Sequence, residues 1–417
     1  MHGLVSAPRA RIAAMLGGGG LVPSFDLNFA RLDNPVTKYG FSFTRATTAT
    51  YVNSTGLIAT AASGELRYTY DPVTLSALGV LIEEARTNLW LNSEDASLWN
   101  RTRALAPSTD STTAPDGSSA ADTLIEDSTA ANSHYYSQSA LACTTGTTYT
   151  FSAYVKAKER TQCSLVFLTT NAVFSFQQTL FDIQSGTVVS GTGTISNCGN
   201  GWYRISASRA AAATANGAVG LFLATSGSST YSGNGTSGLY AWGLQFEAGA
   251  FPTSYIPTAG AAATRNADVL SLTGAADVVA PWFNKDAGTW LVERYGSPAA
   301  IASAVCVDDG AATNRILVRQ DASRVPHFIV GSTADVTGSA VVAGTAFKTA
   351  AAYAANDVSV SIGGGAVSTD ATVTLPAGMT TARIGSSSAG EYANAPISRI
   401  RYYNRRLPNA TLQSLTA

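Results

Sequence analysis

Two adjacent carboxylates, Glu83 and Glu84, are the most conspicuous acid–base candidates in the chain. A glycosidase needs two carboxyl groups flanking one bond at a set separation. Neighbouring residues on a strand point to opposite faces, so this pair is badly placed to act as acid and nucleophile. The run 79–99 that holds them interleaves apolar residues with Glu83, Glu84, Arg86 and Asn88. It reads as a junction, in which one glutamate with Arg86 forms a buried or interface ion pair that fixes two domains. Asp308-Asp309 before Gly310 reads as a solvated turn, although clustered oxygen donors are also what calcium takes. Asp122, Glu126 and Asp127 add carboxylates at no diagnostic spacing. A structural calcium ion stays open on this reading, and no other cofactor is expected.

Nucleophilic and redox chemistry find little support. Three histidines (His2, His134, His327) leave little for a His-based site, and the four cysteines show no CxxC pairing. Cys143, Cys163 and Cys198 fall in one β-rich segment, where one disulfide or free buried thiols would both fit. No nucleophile elbow, P-loop or dinucleotide fingerprint occurs. No catalytic residue is assigned, and the chain is read as a non-enzyme. Aromatic platforms are the more telling side chains, because a pyranose presents an apolar C–H face rimmed by hydroxyls. His134, Tyr135 and Tyr231 sit beside polar, turn-like sequence, and with Trp99 they are the expected carbohydrate-binding residues. Trp202 and Trp242 lie in strong strand patterns and are expected in the core. Arg399, Arg401, Arg405 and Arg406 alternate with aromatics, as a solvated strand edge or an anionic-glycan patch would.

The elements that position these residues are almost all strands. Phe25, Leu27 and Phe29 alternate with Asp26 and Asn28, and the 67–70 run Arg-Tyr-Thr-Tyr alternates again. Strand patterns then recur from 91 to 263, separated by Gly/Ser/Thr/Asn turns, which predicts a two-sheet jelly roll. Pro252, Pro257 and the small residues 259–263 mark a boundary, and a second sandwich is expected over 264–417. Gly363-Gly-Gly365 supplies a hairpin turn, and a short helix capped by Asn409 closes the chain with Leu412 and Leu415 on one face. The expected organisation is an N-terminal arm with a glycine joint (1–21), a β-rich attachment and junction region (22–90), the jelly roll and the second sandwich. The fold class is all-β, with two tandem antiparallel sandwiches after the arm.

At 417 residues, two or three domains are expected. Charged residues make up 13%, about half the average for soluble proteins, and 45% hydrophobic content excludes general disorder. A net charge of −1 argues against a nucleic-acid binder. The apolar run 12–16 is too short for a signal-peptide core, and no other run suits membrane insertion.

Ordered blocks of residues carry a resemblance. Phe43-Thr-Arg-Ala-Thr-Thr-Ala-Thr-Tyr-Val52, Asn53-Ser-Thr-Gly-Leu-Ile58, Asp71-Pro-Val-Thr74 and the run 79–92 resemble the junction region of tailed-phage and prophage fibre or spike proteins. The blocks 240–249, 251–258 and 263–268 look like the end of the carbohydrate-binding-module-like jelly roll of those proteins. The blocks 352–358 and 400–412 are similar to a laminin-G or concanavalin-A-like lectin fold. Together these cover most of 40–417, and the family includes head-spike and tail-fibre proteins, some of gene-transfer agents. The resemblance implies a virion-surface fibre or spike that binds host surface polysaccharide, attached to capsid or tail proteins through the N-terminal arm and assembled as a homotrimer. A purely structural decoration protein and a capsule depolymerase are the alternatives it leaves.

Overall fold

The computed structural model describes residues 21–298 and 300–417. The expected arm, up to Gly20, lies outside the described residues, and its contacts with a capsid or tail lie there too. The described residues are nearly all β, folded into two antiparallel sandwiches, with two short α-helices, Pro35–Tyr39 and Asn409–Thr416. Among the described residues no helix is long and apolar enough to cross a membrane.

The jelly roll packs two six-stranded sheets. One runs Thr194–Asn197, Trp202–Ala210, Thr148–Lys156, Gly238–Ala248, Ala121–Ile125, Ser108–Thr112. The other runs Thr187–Ser190, Gln177–Asp182, Gln162–Leu168, Ala215–Ala224, Tyr135–Cys143, Asn100–Thr102. Alternate residues of each strand meet between the sheets, where Trp90, Phe151, Leu165, Phe167, Phe181, Leu221 and Phe246 form the core. Trp202 and Trp242 are buried as expected, but on the opposite face of the first sheet. There they cluster with Tyr154 and Tyr255 beneath Ile58 of the hairpin Ala49–Val52/Ile58–Ala61. This explains why Thr148–Lys156 is buried on both faces although Thr148, Thr150 and Ser152 alternate with aromatic residues.

The second sandwich draws on both ends of the chain. Its larger sheet has Ala395–Tyr403 paired with Ala287–Tyr295 on one side and with Ala77–Ile82 and Phe25–Asn28 on the other. The facing seven-stranded sheet begins with Ser42–Thr44 against Val269–Thr273. Phe25, Leu27, Phe29, Val80 and Ile82 share one core with Trp290, Val307, Val318, Tyr353 and Tyr402. The region 22–90, expected to stand apart as an attachment segment, is therefore corrected to part of this sandwich. The jelly roll is an insertion into it, entered and left through the antiparallel pair Arg86–Asn88 and Ala263–Arg265. Local alternation identified the early strands; the partner of Phe25–Asn28 and Ala77–Ile82 is Ala395–Tyr403, and that of Ser42–Thr44 is Val269–Thr273, far downstream where no local pattern points to them.

Two smaller expectations are settled by hydrogen bonds. The turn at Gly363 and Gly364 takes positive φ at both positions, as a tight hairpin requires. The terminal helix has Pro408 at its N-cap position without a side-chain cap, while Asn409 instead accepts from Arg406 Nη2 at 2.6 Å. Asn409 is therefore not a cap; Leu412 is buried and Leu415 packs beside it.

Candidate functional site

The junction glutamates are structural. Glu83 is buried between Arg67 (2.7 Å) and Arg265 (3.0 Å), and also accepts from the backbone N–H and hydroxyl of Ser254. Asp268 is shared by Arg45 (2.9 Å) and Arg67. Burial alone would raise the Glu83 carboxyl; the Arg265 and Arg67 charges outweigh it and hold its pKa at about 2. Glu84 pairs with Arg86, the partnership read from the sequence, and Arg86 also meets the backbone carbonyl of Ala248 in the jelly roll. Glu83 does the larger share through two arginines that are distant in sequence. The Glu83 carboxylate is enclosed and both its oxygens are engaged by these partners.

Of the four aromatic candidates of the jelly roll, two are buried and two half-buried. His134 is fully buried, donates from Nδ1 to the Arg103 carbonyl at 2.6 Å and lies 3.2 Å from Asp127. Trp99 is buried against Trp90 in an edge-on contact and donates its indole N–H to the Asn92 carbonyl at 2.7 Å. Tyr231 is half-buried, with its hydroxyl committed to Glu126 at 2.6 Å and Arg160 over its ring. Tyr135 is half-buried and stacks on Phe222 at 4.1 Å. His134 and Tyr231 do meet, with ring centroids 4.9 Å apart, and Arg160 and Glu126 complete a closed network that clamps the loop carrying Tyr231 and Asn234. The expectation of exposure is corrected for His134: its polar-looking local sequence reflects the turns beside it, and long-range packing encloses the ring; Trp99, also expected to bind carbohydrate, is buried too.

The carboxylates considered for calcium are also spoken for. Asp308 pairs with Arg383, Asp309 accepts from Asn314, and Asp122 accepts from the backbone N–H groups of Ala96 and Asp110. Among the described residues no three His, Cys, Asp or Glu side chains cluster as metal ligands. Among the C-terminal arginines, Arg399 pairs with Asp26, Arg401 with Glu293 and Arg406 with Asp357. The strand Ala395–Tyr403 that carries Arg399 and Arg401 is paired on both sides, so the expected strand edge is corrected to an interior strand, and the carboxylate partners of these arginines disfavour an anion patch as well.

An open groove of about 910 Å³ lies instead on the early strands, lined by Phe43, Tyr51, Tyr68 and Tyr70 together with Asn34, Asn53, Ser63 and Glu65. Each ring is positioned by simple local rules. Tyr68 and Tyr70 sit two apart on the strand Tyr68–Tyr70 and so share a face, while Phe43 and Tyr51 come from the strands Ser42–Thr44 and Ala49–Val52. Tyr68 is pinned by a hydrogen bond from its hydroxyl to the Asp33 carbonyl at 2.9 Å, and burial followed by the Asp33 charge pushes its pKa up to about 12. The hydroxyls of Tyr51 and Tyr70 have no protein partner among the described residues.

The amides are held by their oxygens. Asn34 Oδ1 caps the helix Pro35–Tyr39 by accepting from Val36 N–H at 2.9 Å, which leaves its Nδ2 donor uncommitted. Asn53 Oδ1 accepts from Thr55 and Leu57 N–H in the hairpin turn, with the same result. Glu65 accepts from Ala62 N–H through Oε2 at 2.8 Å and keeps Oε1 for solvent or a ligand. Half-buried rings, two amide donors, two phenols and one carboxylate edge thus line one open trough. The only early signal for it was the repeated aromatic alternation, which describes a strand equally well whether its aromatic face is core or binding surface.

No protein-family model and no curated protein matches the chain. Solved structures with related strand layouts do. The CBM40 of Ruminococcus gnavus IT-sialidase, bound to α2,3 sialyllactose, is 17% identical over 32% of this chain and 83% of its own, with a TM-score of 0.28. Trypanosoma rangeli sialidase is 11% identical over 71% of this chain and 60% of its own, with a TM-score of 0.28. Mouse laminin α1 domains LG4-5 are 13% identical over 67% of this chain and 88% of their own, with a TM-score of 0.24. All three superpose only loosely.

Proposed function

We propose that the chain is a non-enzymatic carbohydrate-binding protein whose binding surface is the groove of Phe43, Tyr51, Tyr68 and Tyr70. The observation that carries the reading is the composition of that groove: half-buried aromatic faces beside hydroxyl, amide and carboxylate groups left uncommitted by the fold. Aromatic faces take the apolar side of a pyranose, and the polar rim orients its hydroxyls. A trough open to solvent along its length suits a chain of sugars. The ion pairing of Glu83 and Glu84 supports the non-enzymatic part, since it withdraws the adjacent carboxylates from acid–base work.

Resemblance to tailed-phage fibre and spike proteins supplies the finer reading: a homotrimeric virion-surface protein that adsorbs to host surface polysaccharide. The full chain applied to a bacterial polysaccharide array is expected to bind a subset of glycans. Tyr51→Ala and Tyr70→Ala are expected to weaken that binding while leaving the melting temperature unchanged. Uniform absence of binding would refute carbohydrate recognition, and release of oligosaccharides from a bound capsule would refute the non-enzymatic reading.

A further inference from the structure

The seven-stranded sheet of the second sandwich turns its outer face away from the core. Its inner face carries Val305, Val307, Ile316 and Val318. On the outer face, Asp308 stands opposite Arg315, while Cys306 stands opposite both Leu317 and Arg383. Arg319 lies further along the strand Arg315–Gln320, and Glu391 reaches over the face from the turn after Ser387. Three arginines therefore share one surface with two carboxylates, above a small apolar floor of Cys306, Leu317 and Ile329.

Pairing on this face leaves one guanidinium out. Arg383 holds Asp308, with Nε 2.9 Å from Oδ2. Arg319 Nη1 donates to Glu391 Oε1 at 2.5 Å. Glu391 Oε2 accepts from Ser303 at 3.0 Å and Ser387 at 2.8 Å, so its lone pairs are occupied before Arg315 is reached. Arg315 Nη1 comes only to 3.5 Å from Glu391 Oε2, and its side chain is 10% exposed. Its Nε and Nη1 are enclosed without a hydrogen-bond acceptor. At the far edge His327 sits between Asp335 (2.7 Å) and Asp321 (3.5 Å), so those carboxylates are engaged away from the arginines.

An enclosed charged group without its hydrogen bonds is costly, and a low-dielectric floor strengthens any acceptor that arrives. The partly exposed guanidiniums of Arg315, Arg319 and Arg383 together can offer charge-assisted N–H donors to a carboxylate. We propose that this face is an oxyanion site for the carboxylate of a sugar acid, with Arg315 as the leading donor and Arg319 and Arg383 flanking it. The site is independent of the aromatic groove and would give the protein a second, charge-selective contact with an acidic polysaccharide.

Calorimetric titration of the full chain with sodium glucuronate, sodium sulfate and glucose at matched ionic strength tests it. Saturable binding of glucuronate without binding of glucose is expected. Arg315→Met is expected to weaken glucuronate at least about tenfold, a difference of ~1.4 kcal/mol, with a melting temperature no lower than that of the parent. Arg315→Lys and Arg383→Gln carry the same expectation of weaker binding if the methionine variant does not fold. Sulfate binding without glucuronate binding would overturn the assignment to a sugar acid. Neither anion binding, or Arg315→Met binding glucuronate as the parent does, would overturn the site. Tyr51→Ala is expected to leave this titration unchanged, so failure here and failure of the groove are separate results.

Discussion

Replacing Glu83 by glutamine removes the negative charge that two buried arginines share, and the structure sets the size and the pH dependence of the effect. Glu83 is enclosed with Arg67 and Arg265, and its pKa falls from 4.5 in an unfolded chain to about 2 in the folded one. A shift of that size is worth about 3 kcal/mol at neutral pH, taking 1.36 kcal/mol per unit. Breaking one partner of a buried network costs a similar amount, roughly 3–5 kcal/mol, because Arg265 is left with an unpaired buried charge. The folded pKa is the lower one, so the stabilisation is complete above about pH 4.5 and disappears as pH falls toward 2. Scanning calorimetry of parent and Glu83→Gln between pH 7 and pH 2.5 reads this directly. For a folding unit of this size, the difference at pH 7 corresponds to roughly 6–12 °C in Tm. The two curves are expected to converge at the acid end. A gap of the same size at pH 2.5 as at pH 7, or a gap under about 2 °C throughout, would refute the role given to the ion pairs.

Three further outcomes follow from the packing. Gly79→Ala places a Cβ 2.0 Å from the Ile397 carbonyl at a φ of +123°, so a loss on the order of 2–4 kcal/mol is expected in a thermal melt; an unchanged Tm would contradict the pairing of Ala77–Ile82 with Ala395–Tyr403. Tyr231→Phe removes the hydrogen bond to the Glu126 carboxylate, which should cost about 1.5–3 kcal/mol and speed backbone amide exchange around Asn234, while normal protection there would count against the clamp. Cys143, Cys163 and Cys306 are buried, and burial pushes all three thiols up, so an aromatic disulfide reagent at pH 7 is expected to label these three only after unfolding; rapid labelling of any of them in the native chain would contradict their enclosure.

Strands were the legible part of this sequence, because period-two alternation is written locally in runs such as 25–29, 67–70 and 148–155. Their partners were not. Nothing near Phe25 indicates that it will pair with Tyr402, and nothing near Ser42 points to Ser271. The jelly roll consequently looked like one of several consecutive units, when it interrupts another sandwich. Arg86 with Glu84 was readable from adjacency, whereas Arg67, Arg265 and Asp268 reach Glu83 only through the fold. The same limit moved the candidate site. His134 sits in a polar neighbourhood that suggested exposure, and packing buried it. Tyr51, Tyr68 and Tyr70 sit in ordinary strand patterns, and the short helix Pro35–Tyr39 and the hairpin turn at Asn53 leave their faces open.

Carbohydrate recognition by the groove is tested most directly by saturation-transfer NMR on the full chain, with a glycan selected from the array. The sugar C–H face is expected to show transfer from the aromatic protons, and Tyr51→Ala with Tyr70→Ala is expected to remove it while the fold persists. Undiminished transfer in that double variant would contradict the assignment of the groove.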